Sequence, residues 1–250
     1  YSLCGPCNTG GQPVSYFVPD CDPNNGGGGW TNYADTTNPC KTADSLANDA
    51  GYKSRLDSLK TLSSENFETG YYSKKNPDGT YTYHKQQGTA AGASIDVSGI
   101  NPPISNFMHN HYTGLLSVFS ASDLAVMYNW MKNDKMDDPS KFSMSLVTAN
   151  GTTYMLQIDD IKKFQNFGKT WLVNATWFTV FETFYDQKYG ISQTASNSAN
   201  LSGFLRLLSD CNSGLKFFVG DTTSFSTWTP KKFESDGTLT GGTVIDSPCN

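Results

Sequence analysis

Three histidines occur in the 250-residue chain, and two of them stand one residue apart in Phe107-Met108-His109-Asn110-His111. Alternate side chains of an extended strand share a face, so both imidazoles point the same way and offer a metal two nitrogens. His-x-His is also a common strand pattern, so the pair needs a third ligand. Ser120-Ala121-Ser122-Asp123 supplies one. Ser120 reads as a helix N-cap, and Asp123 three residues on completes a capping-box variant that suits the helix dipole. A carboxylate held in that first turn is also a rigid ligand. Upstream, Glu68 precedes Thr69-Gly70. Its plain reading is an exposed carboxylate at a strand edge; its chemical reading is a general base. Two His and one Asp leave the fourth position of a zinc ion to water, whose pKa falls to about 7. A carboxylate nearby takes that proton and returns it to a leaving amine. Ser120 is then a hydrogen-bond donor for the developing oxyanion.

These residues need elements to hold them. Leu46, Tyr52, Leu56, Leu59 and Leu62 predict a helix over about 43–62, weakened at Gly51. Tyr-rich stretches at 68–74 and 80–84 flank Asn76-Pro77-Asp78-Gly79 and read as a hairpin. Residues 88–103 read as mixed loop and short strand, and 104–111 as a strand. Leu124, Met127, Tyr128 and Met131 predict a helix over 120–133. Asn150-Gly151 between apolar runs at 142–149 and 152–158 is a strong hairpin signal. Trp177, Phe178, Phe181, Phe184 and Tyr185 form a helical stripe over 174–189 that reads as core packing. A short helix at 201–208, a strand at 215–219 and a Gly-rich hairpin complete the chain. Helices mixed with hairpins indicate an α+β fold with a mixed or antiparallel sheet packed by helices.

Glu-x-Gly, His-x-His and Ser-x-x-Asp, in this order over residues 65–130, resemble the signature of the JAMM (JAB/MPN+) zinc metallopeptidases. That family includes deubiquitinating isopeptidases and bacterial JAB-domain peptidases and toxins. The resemblance implies a JAMM/cytidine-deaminase-like core. It makes Glu68 the general acid/base, His109, His111 and Asp123 the Zn2+ ligands, and Ser120 the stabiliser of the tetrahedral intermediate. Two details differ from the family pattern. Tyr112 replaces a proline, and eight residues rather than seven separate His111 from Ser120.

Composition sets the remaining bounds. Eighteen basic against 23 acidic residues give a net charge of −5, which argues against nucleic-acid binding and a polybasic membrane surface. No apolar run approaches the roughly 20 residues of a membrane-spanning helix. The chain begins Tyr1-Ser2-Leu3, which reads as a mature form or a fragment. Residues 1–40 carry Cys4, Cys7, Cys21, Cys40 and the run Gly26 to Gly29, and read as a tether to a domain over 41–250. Six cysteines with low charge suggest export to the cell surface or medium, with up to three disulfides. Cys4-Gly5-Pro6-Cys7 lacks the strand and helix of a redox motif and reads as structural. A zinc site of Cys4, Cys7, Cys21 and Cys40 lacks the usual second close pair. Asn150, Asn174 and Asn200 begin glycosylation sequons that matter only in a eukaryotic host.

The expectation is therefore a secreted bacterial zinc hydrolase that cuts a peptide or isopeptide bond in a protein or peptide substrate. The rivals are a surface binding or adhesion module on a degenerate fold of this kind, and a polymorphic-toxin C-terminal domain.

Overall fold

Three consecutive strands, β3 (Asn106–His111), β4 (Ser143–Thr148) and β5 (Thr153–Ile158), bury every residue they contain. Strands so buried must be covered on both faces. The computed structural model describes residues 38–238 and 241–249 and shows the covering layers. The helices are α1 (Pro39–Asn48), α2 (Ala50–Leu62), α3 (Ala121–Lys132), α4 (Ile161–Trp171), α5 (Ala175–Gln187) and α6 (Asn197–Asp210). The outer strands are β1 (Thr69–Lys75), β2 (Tyr81–Gln87), β6 (Leu215–Gly220), β7 (Trp228–Ser235) and β8 (Gly242–Asp246). All eight strands join one sheet in the order β2-β1-β3-β4-β5-β6-β7-β8. Every neighbouring pair is antiparallel except β3 and β4.

Side-chain alternation sorts the two cores. Met108 faces one side with Tyr52, Leu56 and Leu59 of α2. Phe107 faces the other, with Leu124 and Tyr128 of α3, Phe164 of α4, Phe181 of α5 and Phe204 of α6. The protein is thus a mixed α/β fold with a mostly antiparallel sheet between helical layers. Cys40 on α1 is disulfide-bonded to Cys249 beyond β8, across 209 residues, with their Cα atoms 5.8 Å apart. Cys211 is disulfide-bonded as well. No described helix is long and apolar enough to cross a membrane.

Several expectations change. The first helix breaks at Asp49, not at Gly51. Asp49 is extended (ψ 116°), and its side chain accepts from Tyr52 N and from the Tyr83 hydroxyl. Ending one helix there and capping the next satisfies one orphan donor of α2, Tyr52 N. Pro39 and Cys40 belong to α1; the rest of the segment read as a tether, with Cys4-Gly5-Pro6-Cys7, lies outside the described residues. The Cys40 disulfide removes that thiol from a four-Cys zinc site. Residues 88–103 contain no strand. Helix α4, which the sequence reading left out, places Phe164, Phe167, Gly168 and Trp171 on one buried face. Asn200 is buried and its amide is fully used, so its sequon is closed to a glycan. The hairpin at Asn150-Gly151 forms as expected, with Gly151 at φ 78°, a conformation glycine adopts without strain.

Gly168 marks where α4 meets α3. A Cβ there would stand 2.0 Å from Tyr128 Cδ2. The Tyr128 ring is fully buried and meets Phe164 edge-on, so it has no room to retreat. Gly168→Ala is expected to lower stability by about 1–3 kcal/mol despite its better helix propensity, read as a fall in the urea midpoint at unchanged slope.

Candidate metal centre

A parallel pair needs a crossover, and α3 provides the one from β3 to β4. The N-terminus of α3 is thereby delivered to the C-terminal end of β3, where His109 and His111 project toward the same side as Phe107. His109 Nε2 lies 3.1 Å from Asp123 Oδ1, and His111 Nε2 lies 3.5 Å from Asp123 Oδ2. Glu68, just before β1, brings Oε1 to 3.7 Å from His111 Nε2. The five residues singled out in the sequence, Glu68, His109, His111, Ser120 and Asp123, therefore meet in one place. The two histidines and Glu68 are buried, and Asp123 is partly exposed.

Local chemistry explains each placement. Ser120 Oγ accepts from Asp123 N at 3.2 Å, and Ser120 N donates to Asp123 Oδ2 at 2.7 Å, a complete capping box. Ser120 Oγ also donates to that Oδ2 at 2.9 Å. Oδ2 is thus pinned, while Oδ1 is turned to His109. The Ser120 hydroxyl proton is committed to Asp123, so Ser120 here orients a carboxylate; donation to an oxyanion requires that bond to open.

His111 Nδ1 donates to Leu116 O at 2.8 Å, because a carbonyl only accepts, and in the neutral ring this leaves Nε2 as the lone-pair nitrogen. The loop supplying that carbonyl turns at Tyr112–Leu115, with Leu115 N donating to Tyr112 O and Gly114 at φ 99°. Thr152 Oγ1 donates to Ser117 O, and Asn200 Nδ2 donates to Ser117 Oγ, both at 2.9 Å. These two supports from β5's turn and α6 were invisible in the sequence, since nothing local marks them.

Asn110, between the histidines, faces the opposite side. Its Oδ1 accepts from Thr69 N at 2.5 Å and its Nδ2 donates to Leu62 O at 3.3 Å. It therefore ties the end of α2 and the start of β1 to β3, fixing the backbone beside Glu68. Gly70 pairs with His109 in the sheet. A Cβ there would lie 2.9 Å from the Phe107 ring and 3.0 Å from Ile95 Cδ1, so the glycine lets the 88–103 loop close over the strand.

Electrostatics follow from burial and proximity. Burial pushes the Glu68 carboxyl up, against the pull of His109 and His111, and Asp123 adds to the rise. Burial also opposes ionisation of Asp123, but His109 and His111 overcome it and hold that carboxyl well below the usual range. His111 is depressed by burial, yet Asp123, Glu68 and the Leu116 carbonyl raise it overall. Tyr185 on α5, read from the sequence only as core, has a buried hydroxyl without a hydrogen-bond partner. Burial, then the Asp123 and Glu182 charges, push it well above the usual tyrosine range.

The donor set fits a metal. Ligand atoms of His109, His111 and Asp123 all lie within 4.8 Å of one another. Bonds of about 2.1 Å in a tetrahedral site place ligand atoms roughly 3.4 Å apart, and the two histidine-to-Asp123 distances, 3.1 and 3.5 Å, lie near that value. Both ring nitrogens of His109 are buried with no hydrogen-bond partner, and its 3.1 Å approach to Asp123 is not aligned as one. A bound cation would satisfy that imidazole. Two imidazoles and one carboxylate suit zinc and also ferrous iron.

No protein-family model, curated protein or solved structure matches this chain.

An unsatisfied buried polar group costs about 1–3 kcal/mol. Leaving Asp123 buried without the His109 charge that helps hold it ionised carries a cost of that kind, so His109→Leu is expected to make the metal-free protein less stable than the parent in a chelator-treated urea titration. Added zinc is expected to raise the melting temperature of the parent and not of the variant.

Proposed function

We propose that this protein is a zinc-dependent hydrolase of JAMM-like fold that cleaves a peptide or isopeptide amide. One observation carries the reading: a buried His109 imidazole that makes no hydrogen bond is grouped with His111 and Asp123, with the Glu68 carboxylate beside them. The order of Glu68, the His pair, Ser120 and Asp123 along the chain supports the same family reading. The Cys40–Cys249 disulfide supports an exported protein.

His109 Nε2, His111 Nε2 and Asp123 Oδ1 would hold the zinc. When bound there, zinc supplies a water acidified to a pKa of about 7 and a positive charge for a developing oxyanion. Glu68 accepts a proton at Oε1 and gives it to the departing amine nitrogen. Its raised affinity for protons suits both halves of that transfer. Leu116 O fixes the tautomer of His111, so that its lone pair points inward. Ser120 keeps Asp123 in register and, once its hydroxyl turns, can donate to the oxyanion. The half-buried Tyr112 and Leu116 and the 88–103 loop flank the site.

The test is metal analysis by mass spectrometry of protein purified without added metal, beside two variants. The parent is expected to hold about one zinc ion per chain and His109→Ala almost none. Glu68→Gln is expected to keep its zinc and lose about 10²–10⁴-fold in amide hydrolysis. A parent without zinc after zinc is supplied would overturn the reading in favour of a binding module; iron in its place would point to different chemistry.

A further inference from the structure

A cavity of about 340 Å³ lies between the 88–103 loop and α3. Ile95 and Val97 line it from the loop, Val126 and Trp130 from the helix. Ile95, Val97 and Val126 are only partly buried, each packed against the core with its outer part open. Asp96 and Lys135 sit at the rim with opposite charges, and Asn129 adds an amide.

The lining of this cavity reaches the metal centre through one intervening ring. Trp130 meets Phe107 edge-on, with ring centres 5.0 Å apart, and Phe107 stacks on His109 at 5.5 Å. Trp130 follows Asp123 by seven residues, so it lies two turns along the same stripe of α3, about 10 Å from it. Ile95 is pressed onto β1 at Gly70, the residue paired with His109. The near edge of the cavity is closer: Val126 follows Asp123 by three residues, about 4.5 Å along the helix, within reach of the side chain of a residue bound at the metal. A volume near the lower end of the roughly 300–1,000 Å³ found for ligand pockets suits one large side chain rather than a whole molecule.

We infer that this cavity is the specificity pocket of the site, and that it takes a bulky apolar side chain, leucine- or phenylalanine-like, from a substrate residue flanking the amide that is cut. The inference rests on the hydrolase reading and adds a substrate class to it. The carbonyl and amine sides of the amide both run from the metal, and the test covers each.

Two series of zinc-chelating hydroxamates are titrated calorimetrically into the zinc-loaded protein. Amino-acid hydroxamates of glycine, leucine and phenylalanine place the side chain on the carbonyl side. Succinyl hydroxamates with hydrogen, isobutyl or benzyl substituents place it on the amine side. At least one series is expected to bind its apolar members about tenfold or more tighter than its unsubstituted member. Val126→Asp, and independently Ser98→Trp at the exposed mouth, are expected to bring the apolar compounds down toward the unsubstituted one. Circular dichroism checks that each variant is folded. Equal affinities throughout both series would overturn the pocket while leaving the metal centre standing. No binding by any hydroxamate would show the bound zinc to be closed to substrate and overturn the hydrolase reading, and the pocket with it.

Discussion

Asp123 faces two imidazoles that are almost wholly removed from water, and the geometry around them follows from keeping that arrangement in place. An isolated buried carboxylate would take up a proton; here the histidines hold it ionised. The capping box pins one carboxylate oxygen through the backbone and side chain of Ser120 and leaves the other toward His109. The residue that starts the helix thus also aims the ligand. A helix cap and a metal ligand are compatible because each uses a different oxygen of the same group.

The strand carrying the imidazoles is central, and its two faces do different work. The His109 and His111 face meets α3, while Asn110 on the reverse binds the backbone of Thr69 and Leu62. One strand therefore positions both the ligands and the neighbourhood of Glu68. The parallel pairing of β3 with β4, single among the described strands, forces the crossover helix over the strand end. Crossovers of this kind leave ligand-binding crevices beyond the carboxyl ends of strands. The orphaned polar atoms of His109 are a stability cost at such a place, of the sort that functional sites carry and cores avoid.

Much of the fold was legible because it is written in local signals. The Ser120 cap, the Asn150-Gly151 turn and the Asn76–Gly79 hairpin depend on residues close in sequence, and each forms where its residue types demand. The break at Asp49 was displaced by two residues because Gly51 looked the weaker helix former, whereas the competing force was a side-chain cap from Asp49. Helix α4 escaped notice although Phe164, Phe167 and Trp171 keep helical spacing; its glycine at 168 weakens the pattern, and the reason for that glycine is the Tyr128 ring of another helix.

The sequence by itself determined which groups can ligate and in what order they come. Residue type sets donor chemistry, and strand periodicity alone puts His109 and His111 on one face. It could not decide that Asp123 and Glu68 reach them, since that depends on a crossover and on β1 pairing with β3, contacts between residues about 12 to 43 apart. Tertiary structure also decided the partners that no local pattern marks: Leu116 for His111, Thr152 and Asn200 for the loop that carries it, and Tyr185 near Asp123. Those contacts exist only once the two cores have packed, because burial and proximity, not residue identity, create them.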